Sequence, residues 1–135
     1  MATLRDIMST QLVTVNSDAT MQDVAQLMKQ NDVGDVLVMQ GGQLTGIVTD
    51  RDLVVRGLAE NADLKSGISN LMSGDLVTLE ADTDVQEAAR VMADRQVRRL
   101  PVVENGQPVG IVSLGDLAVR TGGGADEEAL EGISE

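Results

Sequence analysis

The sequence repeats itself. Shifting the 135-residue chain by 64 aligns residues 8–56 with 72–120 without a gap, and 20 of those 49 positions are identical. Met8/Met72, Val13/Val77, Asp18/Asp82, Met28/Met92, Gly46/Gly110 and Asp52/Asp116 are among them, and many of the differences exchange one apolar residue for another. A unit of about 60 residues buries too little of its own surface to be secure alone, so repeats of this length are expected to share their stabilisation. The expectation is two like units packed sheet to sheet about a pseudo-twofold axis, with a cleft between them where a small ligand can sit.

Each copy predicts the order β-α-β-β-α, an α/β (α+β) fold. Leu12–Val15 reads as a short strand, echoed by Leu76–Leu79. A helix follows, with apolar residues at Met21, Val24, Ala25 and Met28 in one copy and Val85, Ala88, Ala89 and Met92 in the other, the spacing of one helical face. Thr20 with Asp23, and Asp84 with Glu87, suit reciprocal capping of its first turn. Two strands then flank Gly41-Gly42 and, in the second copy, Asn105-Gly106, a dipeptide that favours a tight hairpin because both positions tolerate positive φ. A closing helix is expected from Asp50 or Leu114. The resulting division is 1–58 for the first repeat, 59–69 for a connector, 70–121 for the second repeat, and 122–135 for a flexible tail. That tail carries Asp126, Glu127, Glu128, Glu131 and Glu135 but no Lys or Arg.

Composition removes several function classes. Hydrophobic residues make up 42% of the chain, yet Phe, Tyr and Trp are absent, so the core must be aliphatic with methionine filling irregular gaps. No base can stack on an aromatic ring, and a net charge of −12 opposes phosphate-backbone binding. Nucleic acid is therefore not an expected partner. The lack of Cys and His excludes thiolate and imidazole chemistry and most zinc sites, though a hard cation such as Mg2+ held with a nucleotide's phosphates stays open. No apolar run approaches a membrane span and no signal peptide is legible, so a cytoplasmic protein is expected.

The chemistry-bearing pattern is Gly46-Ile47-Val48-Thr49-Asp50-Arg51-Asp52, repeated as Gly110-Ile111-Val112-Ser113-Leu114-Gly115-Asp116. A strand that ends at a helix start offers unpaired N–H groups to an anion, and the Asp could accept two charge-assisted bonds from a ribose diol. The same residues also suit plain helix capping, with Thr49 or Ser113 as the cap and the acid favouring the first turn. Both readings stand on sequence alone.

This tandem pattern resembles the CBS-domain family, whose paired form is called a Bateman module. Met8-Ser9 and Met72-Ser73 at the repeat starts, and Val97-Arg98-Arg99-Leu100-Pro101-Val102-Val103 before the second hairpin, add to the likeness, which covers residues 7–120. With no catalytic domain attached, the chain is similar to stand-alone bacterial CBS pairs. The resemblance implies a cytoplasmic regulatory module that binds an adenosine-containing ligand: AMP, ADP, ATP, S-adenosylmethionine or a reduced nicotinamide dinucleotide. It also implies association as a homodimer. Carried over by position, a first pocket would use Ile47, Thr49, Asp52, Met72, Val77, Val97, Arg98 and Arg99. A second would use Met8, Val13, Val33, Gly34, Ile111, Ser113 and Asp116.

The two pockets differ where Arg98-Arg99 stands opposite Gly34-Asp35 in the other copy. Guanidiniums attract phosphate and an Asp repels it, so the Asp52 pocket is expected to be the tighter one. No nucleophile–base pair, metal-ligand cluster or Walker loop is legible, so no enzyme is expected. The competing expectation is a ligand-free scaffold that dimerises and docks a partner protein.

Overall fold

Backbone sterics at the two tight turns set the register of each sheet. Gly41 and Gly42 have φ of 60° and 79°, and Asn105 and Gly106 have φ of 54° and 80°, the doubly positive turn that matches the twist of paired strands. Alanine at Gly106 would meet no neighbour but would hold a Cβ at positive φ. Gly106→Ala is expected to lower stability by about 1 kcal/mol in urea unfolding, without any change in fold.

The computed structural model describes residues 2–72 and 76–121; the acidic tail and Ser73 lie outside them. In chain order come α1 (Leu4–Ile7), β1 (Thr14–Asn16), α2 (Met21–Asn31), β2 (Asp35–Gln40), β3 (Gln43–Thr49) and α3 (Asp50–Asp52), which runs into a π-helical stretch, Leu53–Leu58. A 3-10 turn (Ile68–Asn70) precedes β4 (Leu79–Glu80), α4 (Val85–Arg95), β5 (Arg99–Glu104), β6 (Gln107–Ser113) and α5 (Leu114–Thr121). Two three-stranded sheets result, β1-β2-β3 and β4-β5-β6. In each, the first strand is parallel to the second and the hairpin is antiparallel, with the same bulge in both copies, at Val38/Met39 and Val102/Val103.

Two local expectations need correction. The first strand of each copy begins later than its apolar run and extends onto Asn16 and Glu80; ladder bonds are made by the backbone, whatever the side chain. Thr20 and Asp23 do form the reciprocal cap, but Asp84 and Glu87 do not. The Asp84 carboxylate accepts from the Gln86 N–H at 2.7 Å, and the longer Glu87 side chain turns to Arg90.

The compact units do not follow chain order. Among the described residues, 12–72 and 76 form one unit, and 2–11 join 77–121 in the other. Leu4 and Ile68 occupy equivalent repeat positions and are both fully buried. Yet Leu4 lies in the core of α4, β5 and β6, with Met92, Leu100, Val112 and Leu117, whereas Ile68 lies with Val24, Val36, Val38 and Val48. Each leading segment also caps the helix of its unit: the Met21 and Gln22 N–H groups donate to Ser66 and Leu64 carbonyls, and the Val85 N–H to the Ala2 carbonyl. These bonds satisfy donors that every helix start leaves open. Arg5 bridges Asp82 and Glu104, and those carboxylates, Glu104 foremost, hold its guanidinium charged well beyond the ordinary arginine range.

Candidate functional site

The C-terminal ends of β3 and β6 carry the same construction. Thr49 Oγ1 accepts from the Asp52 N–H at 3.1 Å while Asp52 Oδ2 accepts from the Thr49 N–H at 2.9 Å. In the other copy Ser113 Oγ accepts from the Asp116 N–H at 3.2 Å and Asp116 Oδ2 from the Ser113 N–H at 2.9 Å. Both are capping boxes, the arrangement that a hydroxyl residue followed by an acid three places on favours. Capping commits one carboxylate oxygen in each case. The other oxygen of Asp52 faces Arg56 Nε at 3.6 Å, in a carboxylate only 17% exposed; that separation exceeds the usual N–H···O range.

The expectation of a phosphate on open N–H groups at the first of these helix starts fails. The Asp50 N–H donates to the Gly34 carbonyl at 3.0 Å, the Arg51 N–H to Asp50 Oδ1 at 2.8 Å, and the Asp52 N–H to Thr49. What remains at this corner is acceptor chemistry from a carboxylate, suited to hydroxyl donors such as a sugar diol.

The bond from Asp50 to Gly34 has its twin in the Leu114 N–H donating to the Arg98 carbonyl at 3.0 Å. Each hydroxyl–Asp corner is thereby tied to the residues ahead of its hairpin: Thr49 pairs with Asp35, and Ser113 with Arg99. The unit of residues 12–76 gathers Val13, Val33, Gly34, Ile47, Thr49, Asp52 and Met72. The other gathers Met8, Val77, Val97, Arg98, Arg99, Ile111, Ser113 and Asp116. Within them Met72 lies on Gly46 and Met8 on Gly110, while Ser9 and Ile111 exchange two backbone bonds of 2.9 Å. Arg98 is exposed and Arg99 half-buried. Arg90, on α4, bonds to Glu87.

Sequence reasoning missed Arg56. Its signal was the i,i+4 spacing from Asp52, which places an acid and a following base on one helical face. Among the described residues no group of three or more His, Cys, Asp and Glu could hold a metal ion, and no helix is long and apolar enough to cross a membrane.

Comparison with known proteins agrees with this architecture. Residues 4–58 and 68–120 each match the CBS domain. The CBS domain-containing protein YhcV of Bacillus subtilis is 43% identical over 120 residues, 89% of this chain and 86% of that protein. A crystal structure of hypoxic response protein I, determined with two coordinated zinc ions, superposes with a TM-score of 0.77 at 34% identity, covering 88% of this chain and 98% of that one. The CBS domain pair of protein MJ0100, in complex with 5′-methylthioadenosine and S-adenosyl-L-methionine, superposes with a TM-score of 0.81 at 26% identity, over 91% of this chain and 98% of that one. With both repeats matched, and with a sheet and two flanking helical elements in each, the chain belongs to the CBS domain family and carries two such domains in tandem, a Bateman module.

Proposed function

We propose that this protein is a non-catalytic sensor that takes up an adenosine-containing ligand, with AMP, ADP or ATP as the preferred class. Asp52 holds the ribose hydroxyls beside Thr49 and Ile47, and Arg98 and Arg99 meet the phosphates. The Asp116 site, with Ser113 and Ile111, binds more weakly because Gly34 and Asp35 stand where the other copy has two arginines. The observation that carries this reading is the carboxylate of Asp52. It is mostly buried, its Oδ2 is consumed by the cap, and its Oδ1 faces Arg56 Nε at 3.6 Å, beyond hydrogen-bond range, so that it keeps acceptor capacity. The adenosine compounds bound by the CBS pair of MJ0100 support the ligand class.

The protein has no Trp, Tyr or Phe, so absorbance near 260 nm reports a co-purified nucleotide directly. Titration with AMP, ATP and S-adenosylmethionine, followed by thermal shift, should show stabilisation by about 2.7 kcal/mol at a hundredfold excess over Kd. Asp52→Ala should weaken binding about 30-fold, the loss of charge-assisted bonds of roughly 2 kcal/mol, while Asp116→Ala leaves the tighter site intact. Equal affinities for wild type and Asp52→Ala would remove Asp52 from the site, and no shift with any of the three ligands would end the sensing reading.

One observation favours a second reading. Val54, Val55, Leu58 and Leu64 are 55%, 46%, 72% and 55% exposed, apolar side chains of the kind that a docking scaffold or a homodimer covers. Sedimentation of wild type and Leu58→Ser, each with and without AMP, separates the two: a change in assembly without ligand uptake favours the scaffold.

A further inference from the structure

The chain contains no Cys, His, Trp or Tyr but seven Met, so its readily oxidised side chains are thioethers. Met21, Met28 and Met92 are buried in the two cores, at 5%, 8% and 0% exposure. Met8 and Met72, at equivalent repeat positions, are only half-buried and lie at the edges of those cores. Both sulfurs occupy the hollow left by a missing Cβ. A Cβ built on Gly110 would stand 2.5 Å from Met8 Sδ, and one built on Gly46 would stand 2.5 Å from Met72 Sδ.

Both methionines also sit just ahead of a crossing. The chain leaves one unit after Gln11 and the other after Leu76. Each thioether therefore anchors the last turn of a leading segment to the unit that holds it. Met39 is half-buried as well, but it lies within β2, paired with Leu44 by the strand ladder.

We propose that Met8 and Met72 are paired sites of oxidative modification, through which peroxide loosens the leading segment of each repeat from its glycine seat. The sulfur lone pair attacks one peroxide oxygen. The O–O bond breaks as the S–O bond forms, sulfur loses two electrons to become the sulfoxide, and hydrogen peroxide leaves as water. The product is polar and bulkier. With the sulfur already against the glycine, the new oxygen must either lie among apolar neighbours without a partner, which is unfavourable, or drive the side chain out of its seat. A dithiol-dependent methionine sulfoxide reductase returns the thioether, with water released and the dithiol oxidised to a disulfide.

The test reads oxidation and stability together, with no ligand, so its outcome is independent of the adenosine reading. Full-length protein is exposed to hydrogen peroxide, sampled over time for peptide mass mapping, and melted. Sulfoxide should accumulate at Met8 and Met72 well before Met21, Met28 and Met92, and Tm should fall by about 5 °C. The double variant Met8→Leu, Met72→Leu should keep its own Tm under the same treatment, whereas Met39→Leu should lose as much as wild type. Reductase and dithiol should restore the wild-type Tm. Oxidation of Met8 and Met72 no faster than that of Met92, or an equal Tm loss in the double variant, would overturn the proposal. The mapping arm on wild type decides it even if the leucine variant folds poorly.

Discussion

Gly110→Ala is expected to destabilise the protein by about 3 kcal/mol, at the upper end of what overpacking produces. A Cβ at Gly110 meets Met8 Sδ at 2.5 Å, Met8 Cγ at 2.7 Å and the Ser9 carbonyl oxygen at 2.9 Å. The methionine can swing aside; the carbonyl cannot, because it accepts the Ile111 N–H at 2.9 Å and Ser9 donates back to Ile111. For the equivalent Gly46→Ala the three nearest atoms all belong to the Met72 side chain, and it should cost about 1 kcal/mol, since a flexible thioether can repack. Urea unfolding of the two variants side by side measures the difference. Equal losses would mean that the Ser9–Ile111 pairing yields as readily as a side chain, and that the backbone clash is not the operative term.

Leu117→Ala is expected to lower stability by about 3 kcal/mol, as for a fully buried leucine whose removal leaves a cavity. Leu117 is 0% exposed and packs in the core with Leu4, Met92, Leu100 and Val112. Leu53 is its counterpart by repeat position, yet it is half-buried and only flanks the other core; Leu53→Ala should cost nearer 1 kcal/mol. The difference follows from the helices. In α5, Leu114 and Leu117 stand three residues apart on one face against the core. After Leu53 the turn widens to π geometry, with the Ala59 N–H donating to the Val54 carbonyl at 2.8 Å, and Val54, Val55 and Leu58 turn outward. Gly57 fits that wider turn by lying against Met21, where a Cβ would come within 2.5 Å of the sulfur. Calorimetric melts of the two alanine variants test the ranking. Matching Tm losses would show that repeat position, rather than helix geometry, governs the packing.

Much of each repeat was legible because its signals are local. The α2 and α4 faces follow from apolar spacing, the hairpins from Gly-Gly and Asn-Gly, and the Thr49–Asp52 and Ser113–Asp116 boxes from a hydroxyl residue three places before an acid. The functional and capping readings of Asp52 both stood on sequence; the structure shows the cap on Oδ2 and places Arg56 at 3.6 Å from Oδ1. The anion reading of the same corner did not survive. Whether the Asp50 and Arg51 N–H groups are open depends on the Gly34 carbonyl and on a side-chain rotamer, neither of which a motif reports.

By itself the sequence determined the duplication, the order of elements, the turn geometry and the residue types at each corner, because these depend on periodicity and on backbone preferences within a few residues. Only the tertiary structure decided which repeat each leading segment serves. Leu4 and Ile68 stand 64 residues apart and are equally buried, but Leu4 packs in the core of α4, β5 and β6 and Ile68 in that of α2, β2 and β3. Apolar burial has no direction along the chain, so a pattern of hydrophobic residues states that a side chain is covered without saying by what.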